Sequence, residues 1–249
     1  MSHLIATKRT NLIDTKELSG FFPKTNNTIE WKISDQLVDY HEAVEIMEER
    51  VLSIQQGKAC ELIWLLEHPP LYSAGTSAKN DDLLLKDKFP VYYSGRGGEF
   101  TYHGPGQRIV YILLDLKNRQ TDIRLFIAYL EKWIINSLAD FNIKGETRED
   151  RVGVWVTRTD KPPLANNKVR EDKIAAIGVR VKKWVTMHGF AININPNLSH
   201  YTGIIPCGIS EYGITSFEDL GYLTDLNDVD LSLKKNFIRL FTHKNNLII

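Results

Sequence analysis

The stretch KIAAIGVRVKKWVTMHGFAININ, Lys173 to Asn195, decides the fold class. It holds two runs rich in Ile, Val and Thr, joined by a short polar turn rather than by a helix. Parallel neighbours in a doubly wound sheet need a crossover of a dozen residues or more. Strands that follow one another this closely are antiparallel. VGVWVT, Val152 to Thr157, precedes them as another strand, and the spacing near Ser232 to Phe241 predicts a closing helix. Helices and strands do not alternate regularly. The expected class is α+β: a mixed, largely antiparallel central sheet flanked by helices.

Upstream, Ile29 to Ile33 reads as a short strand. Leu37 to Gln56 reads as an amphipathic helix through Val38, Ala43, Val44, Ile46, Met47 and Val51, with Gly57 to end it. ELIWLLEH is a buried strand stopped by Pro69 and Pro70. LYSAGTSAKNDDLL, Leu71 to Leu84, is expected to be a polar loop leading into a helical turn. FPVYYSG gives another short strand, and RIVYILLDL a longer one. Ile123 to Phe141, with Phe126, Ile127, Leu130, Trp133, Ile134 and Leu138 three and four apart, is the second strong helix. Residues 1–27 lack periodicity and are expected to form an amino-terminal extension with some mobility, leaving 28–249 as a single catalytic domain.

At 249 residues and 43% hydrophobic, the chain can bury a sizeable core. Acidic and basic residues balance at 31 each, which excludes the excess positive charge that nucleic-acid and membrane-surface partners demand. The longest apolar run, Ile109 to Leu114, falls far short of the roughly 20 residues that span a bilayer. The amino terminus has no secretory pattern, so a cytoplasmic location is expected. Between Arg148 and Lys183, ten basic residues face five acidic ones, which marks a candidate docking face for an acidic partner.

Three features carry chemistry. Ser94 to Gln107 holds five glycines in fourteen residues, interleaved with Arg96, Thr101, Tyr102 and His103. That is a loop composition rather than a strand, and it suits close backbone approach to a ligand. It matches neither a dinucleotide nor a phosphate-loop fingerprint. Lys173 heads an apolar run and is either drawn into the interior or snorkels from an edge. Cys207, set between Pro206 and Gly208, suits a positioned thiol. A thiolate needs a neighbouring cation to lower its pKa, and Lys173, His103 and His188 are the candidates. Cys60 reads as a small buried hydrophobe.

EHPPLYSAGTSAKNDDLL (Glu67 to Leu84), RGGEFTYHGPGQRIVYILLDL (Arg96 to Leu116), the Lys173 to Asn195 stretch and IIPCGI (Ile204 to Ile209) together resemble the lipoyl/octanoyl transferase family. That resemblance implies a fold shared with lipoate ligases and biotin protein ligases. It also implies transfer of an octanoyl group from octanoyl acyl carrier protein to lipoyl domains of 2-oxoacid dehydrogenases and to the glycine cleavage H protein. Carried over position by position, Cys207 holds the acyl thioester and Lys173 lowers its pKa. Substrate binding falls on Arg96, Gly97, Gly98, Glu99, Phe100, Thr101, Tyr102 and His103. It falls also on Ala176, Ile177 and Gly178, and on Gly189, Phe190 and Ala191. A thioester donor makes nucleotide activation unnecessary, so no cofactor and no metal are implied. Backbone N–H groups at Gly178 or Gly208 are candidates for the oxyanion site.

Overall fold

The computed structural model describes residues 13–25, 28–164, 167–205 and 212–242, together with the backbone of 247–248. In spatial order the large sheet runs β10 (Gly213–Ile214), β8 (Arg170–Lys182), β9 (Val185–Asn193), β6 (Gln107–Leu113), β2 (Glu61–Leu66), β1 (Ile29–Ile33) and β11 (Leu247–Ile248). β7 (Val154–Arg158) pairs with the opposite edge of β8. β1 is parallel to β2 and β11, and β10 to β8; the remaining pairs of this sheet are antiparallel. A smaller sheet runs β4 (Val91–Tyr93), β3 (Leu71–Ala74), β5 (Phe100–His103). Among the described residues three α-helices cover the large sheet: α1 (Tyr40–Gln55), α2 (Ile123–Ala139) and α3 (Leu226–Phe241). This is the expected α+β class with a mixed, mostly antiparallel sheet.

Strand alternation sorts the side chains into two layers. Along β6, Val110 and Ile112 pack with Trp133 of α2 and Phe237 of α3, whereas Ile109, Tyr111 and Leu113 pack with Ala43, Met47 and Val51 of α1. The sheet is therefore buried on both faces, which explains why β2 and β6 read as continuous apolar runs. Helix starts follow their caps. Asp39 accepts from the N–H groups of His41 and Glu42, so α1 begins at Tyr40 rather than at Leu37. Asp225 caps α3 in the same way, so that helix starts at Leu226, well before Ser232.

Two expected loops contain strands. Leu71–Ala74 is buried throughout and pairs with both neighbours of the small sheet. Phe100–His103, inside the glycine-dense segment, forms β5. In both cases flanking Gly and Pro residues obscured a four-residue run whose ladder partner lies far away in sequence. Cys60, expected as a buried hydrophobe, is partly exposed and free, 4.0 Å from an Arg50 Nη1. Part of the expected extension is docked: Phe21 is buried among Phe126, Tyr129 and Phe241, and its N–H bonds the Leu240 carbonyl at 2.6 Å. The aromatic at Phe21 holds 13–25 on the domain where periodicity offered no signal. Among the described residues no helix is long and apolar enough to cross a membrane.

One buried ion pair ties the start of β2 to the loop after β6. Arg119 donates to both Glu61 carboxylate oxygens, at 2.5 and 2.8 Å, and both side chains are at most 2% exposed. Glu61 also accepts the Asp115 N–H at 2.7 Å. Glu61→Gln would strand a buried guanidinium. It should lower unfolding stability by about 3–5 kcal/mol, read as a reduced urea midpoint at unchanged slope.

Candidate active site

β8 changes partners midway, and the site lies at the change. β7 accompanies it from Arg170 to Ala175, and beyond Ala175 that edge is open. The loop before β5 closes on the open edge, where Gly97 donates its N–H to the Val179 carbonyl at 2.9 Å. Gly178 permits this approach: a Cβ there would stand 3.1 Å from both Arg96 Cδ and the Gly97 carbonyl oxygen. Gly98 has φ +90°, a backbone that side chains resist. Arg96 is buried and locks the loop, donating to the Ser73 carbonyl at 2.7 Å, the Ser73 hydroxyl at 2.8 Å and the Glu99 carbonyl at 3.0 Å.

Between loop and strands lies a cleft of about 1030 Å³, part of it open to solvent. Of the fourteen residues expected to bind substrate, thirteen line it; Tyr102 does not. β5 alternates, so Tyr102 turns to the other side. There it packs against Tyr72, Phe89 and Tyr201, with its hydroxyl 2.8 Å from His200 Nδ1. Tyr40, Tyr111, Arg151 and His188 line the cleft as well. The sequence marks His188 only as a candidate cation. Tyr40 gave no signal, being one polar-tipped aromatic at the start of a helix; its hydroxyl is buried with no partner among the described residues.

Lys173 is 4% exposed, which resolves its two readings in favour of burial, and its side chain lines the cleft. A β-bulge aims it. Val154 pairs with Ala175 and the next residue, Trp155, with Lys173, so Ile174 is the extra residue of β8. Such a bulge reverses which edge the following peptides face. The Lys173 carbonyl consequently accepts the Thr215 N–H at 3.0 Å, alongside β10, while Ile214 pairs with Lys173. Ile205, on the near side, donates to the Asp82 carbonyl at 2.8 Å. Cys207 and Gly208 lie outside the described residues. Gly178 is excluded as an oxyanion donor: Val179 faces the open edge, so by ladder alternation Gly178 faces β9, where it pairs with Gly189.

Two histidines, His103 and His188, line the cleft and a third, His68, packs against His103; burial keeps all of them neutral. Burial pushes His68 down to about 4 and His188 down to about 3, and lowers His103 well below its ordinary value. His68 sits between the Val38 carbonyl and the Tyr111 hydroxyl, at 2.6 and 2.7 Å, and His103 between Ser73 Oγ and Gln107 Oε1, at 3.1 and 2.7 Å. His188 adopts φ +62° within β9, a backbone uncommon for a non-glycine residue. The two histidines weighed as activating cations therefore bring no charge. Lys173 and Arg96 do.

The basic surplus between Arg148 and Lys183 is largely matched in space. Arg148 bonds Glu146 and Glu171, Arg158 bonds Asp160 and Asp219, and Lys182 bonds Glu48. Glu48, Glu146 and Asp219 fall outside the counted window, so a linear count could not see them.

Residues 39–238 match the profile of the lipoyl protein ligase A/B catalytic domain. An octanoyltransferase of Brucella melitensis biotype 1 is 56% identical over 97% of this chain and 92% of its own length. One of Bartonella quintana is 61% identical over 87% of this chain and 88% of its own. Among solved structures, a lipoate-protein ligase A bound with ATP superposes with TM-score 0.62 at 12% identity, covering 88% of this chain and 90% of that one. A bi-partite lipoate protein ligase from Thermoplasma acidophilum gives 0.60 at 12% identity, covering 88% of each chain.

The neutral histidines set a pH dependence of stability. Each takes up a proton on unfolding once the pH falls below about 6.5, so the unfolded state binds more protons and acidification destabilises the fold. The window runs from about 6.5 down towards the folded values of about 4 for His68 and about 3 for His188. Each group contributes a slope of about 1.4 kcal/mol per pH unit there. His188→Asn tolerates the left-handed backbone, and its stability, read from urea unfolding, should fall less steeply than the wild type's between about pH 6 and about pH 5 by that one-proton slope. Equal slopes would refute a neutral buried His188.

Proposed function

From the premise that this chain is an acyltransferase belonging to the lipoyl protein ligase A/B catalytic-domain family, we propose that it carries an octanoyl group on Cys207. It takes the group from octanoyl acyl carrier protein and delivers it to the acceptor lysine of lipoyl domains, including that of the glycine cleavage H protein. Close likeness to octanoyltransferases supports the acyl group and the direction of transfer. The observation that carries the mechanism is the burial of Lys173 at a cleft whose two lining histidines, His103 and His188, are neutral.

The chemistry closes on two residues. The Cys207 thiolate, held against the Lys173 ammonium, attacks the thioester carbonyl of the donor. A new C–S bond forms to Cys207, the bond to the carrier sulfur breaks, and Lys173 gives its proton to the departing thiolate. Lys173 is now a neutral amine. It accepts a proton from the acceptor lysine as that nitrogen attacks the Cys207 thioester; the C–N bond forms, the C–S bond breaks, and the thiolate–ammonium pair is restored. No nucleotide enters, because the donor arrives as an activated ester. Ile177, Phe190 and Ala191 offer apolar surface to the chain, at about 0.8 kcal/mol for each buried methylene.

Intact-mass spectrometry after incubation with octanoyl acyl carrier protein, without ATP, should show one added octanoyl group that hydroxylamine removes. Cys207→Ala should show none. Lys173→Met should slow acylation by about 100-fold or more, the scale of a lost acid–base group. A wild-type mass that shifts only when ATP is supplied would sink the reading and point to a ligase.

A further inference from the structure

Lys173 rests on an aromatic face. Its Nζ lies 4.6 Å from the Trp155 ring centroid, within the range where a desolvated ammonium is attracted by the ring's quadrupole. Trp155 is 2% exposed, so water competes little for that contact. Gly153, at φ +121°, clears the way for the lysine stem: a Cβ there would stand 3.3 Å from Lys173 Cε and 2.8 Å from the Ala175 carbonyl oxygen.

The same indole takes a second cation. Arg151 Cζ lies 4.5 Å from the Trp155 centroid and 3.8 Å from that of Tyr212, whose hydroxyl it also bonds at 3.0 Å. Tyr212 in turn packs on Trp155 edge to face, with centroids 5.4 Å apart. Arg151 is charge-balanced by Asp150 and Glu171. Tyr212 begins the described chain beyond the segment that holds Cys207, one residue before β10. Trp155 is thus the shared surface between the catalytic lysine and the arginine that grips the return of that segment.

We propose that Trp155 is a positioning residue for the transfer reaction: its π face fixes the Lys173 ammonium, and through Arg151 and Tyr212 it keeps that ammonium in register with the chain returning from Cys207. The inference rests on the reading of Lys173 and Cys207 given above. A bystander aromatic would fill space only; a positioning one acts through the electron density of its face, and the two are separable without changing shape. The other charged groups packed on this strand pair, Arg158, Asp172 and Glu171, hold one another or Arg151 and stay constant across the test.

The test replaces Trp155 site-specifically with mono-, di-, tri- and tetrafluorotryptophan, nearly isosteric rings of falling quadrupole. The readout is the rate of Cys207 alkylation by iodoacetamide at neutral pH, measured by peptide mass spectrometry, beside the rate of octanoyl transfer. Both rates should fall stepwise with each added fluorine, by about three- to tenfold across the series, the range of a desolvated cation–π contact. Trp155→Phe, which keeps a smaller face, should fall between wild type and Trp155→Leu. A flat fluorine series beside a Lys173→Met variant that does slow alkylation overturns the role of Trp155 and leaves the reading of Lys173 intact. Lys173→Met alkylating as fast as wild type overturns that reading, and this inference with it.

Discussion

The extra residue at Ile174 is the constraint around which the site is organised. An antiparallel strand normally offers alternate peptides to its two neighbours in fixed order. Inserting one residue reverses that order. Before the bulge, β8 presents the Lys173 carbonyl to Thr215 and the strand that follows the Cys207 segment; after it, β8 presents Val179 to the glycine loop. One strand thereby brings together three segments far apart in the chain. The side chain it re-aims is that of Lys173, which it turns to the cleft.

The electrostatics follow from burial. His68, His103 and His188 are each enclosed deeply enough that desolvation outweighs every partner able to stabilise their cations. The cleft thus sets the basic side chains of Lys173, Arg96 and Arg151 beside the Glu99 carboxyl, whose pKa burial raises, and beside neutral imidazoles. Such a wall suits an uncharged acyl chain. Its imidazole rings carry no charge that would change near neutral pH. Arg96 contributes a fixed geometry: its bonds to Ser73 and Glu99 tie the glycine loop to β3, while Gly97 bonds the Val179 carbonyl of β8, a closeness that depends on the missing side chain at Gly178.

Much of the architecture was legible from period and punctuation. Ile29 to Ile33, ELIWLLEH, RIVYILLDL and the Lys173 to Asn195 hairpin stand as strands, and the α2 pattern stands from Ile123, because each is long or strongly apolar enough to declare its period. β3 and β5 did not declare themselves. Each is four residues long, bounded by Gly or Pro, and becomes a strand only when the other arrives to share its hydrogen bonds. Phe21 likewise looked like part of a tail because its partners, Phe126, Tyr129 and Phe241, come from two distant helices.

By itself the sequence determined the fold class, the glycine loop, and the candidacy of Lys173 and Cys207, because these rest on local pattern and on residue chemistry. Only the tertiary structure decided that Lys173 is buried, that Tyr102 faces away from the cleft while its neighbours Thr101 and His103 face it, and that the histidines are neutral. It alone showed that the basic window is matched by Glu48, Glu146 and Asp219. The reason is common to all of these: charge state, facing and ion pairing depend on which atoms come within a few ångströms. For residues a hundred positions apart, that is set by strand register and a single bulge rather than by any feature of the neighbouring sequence.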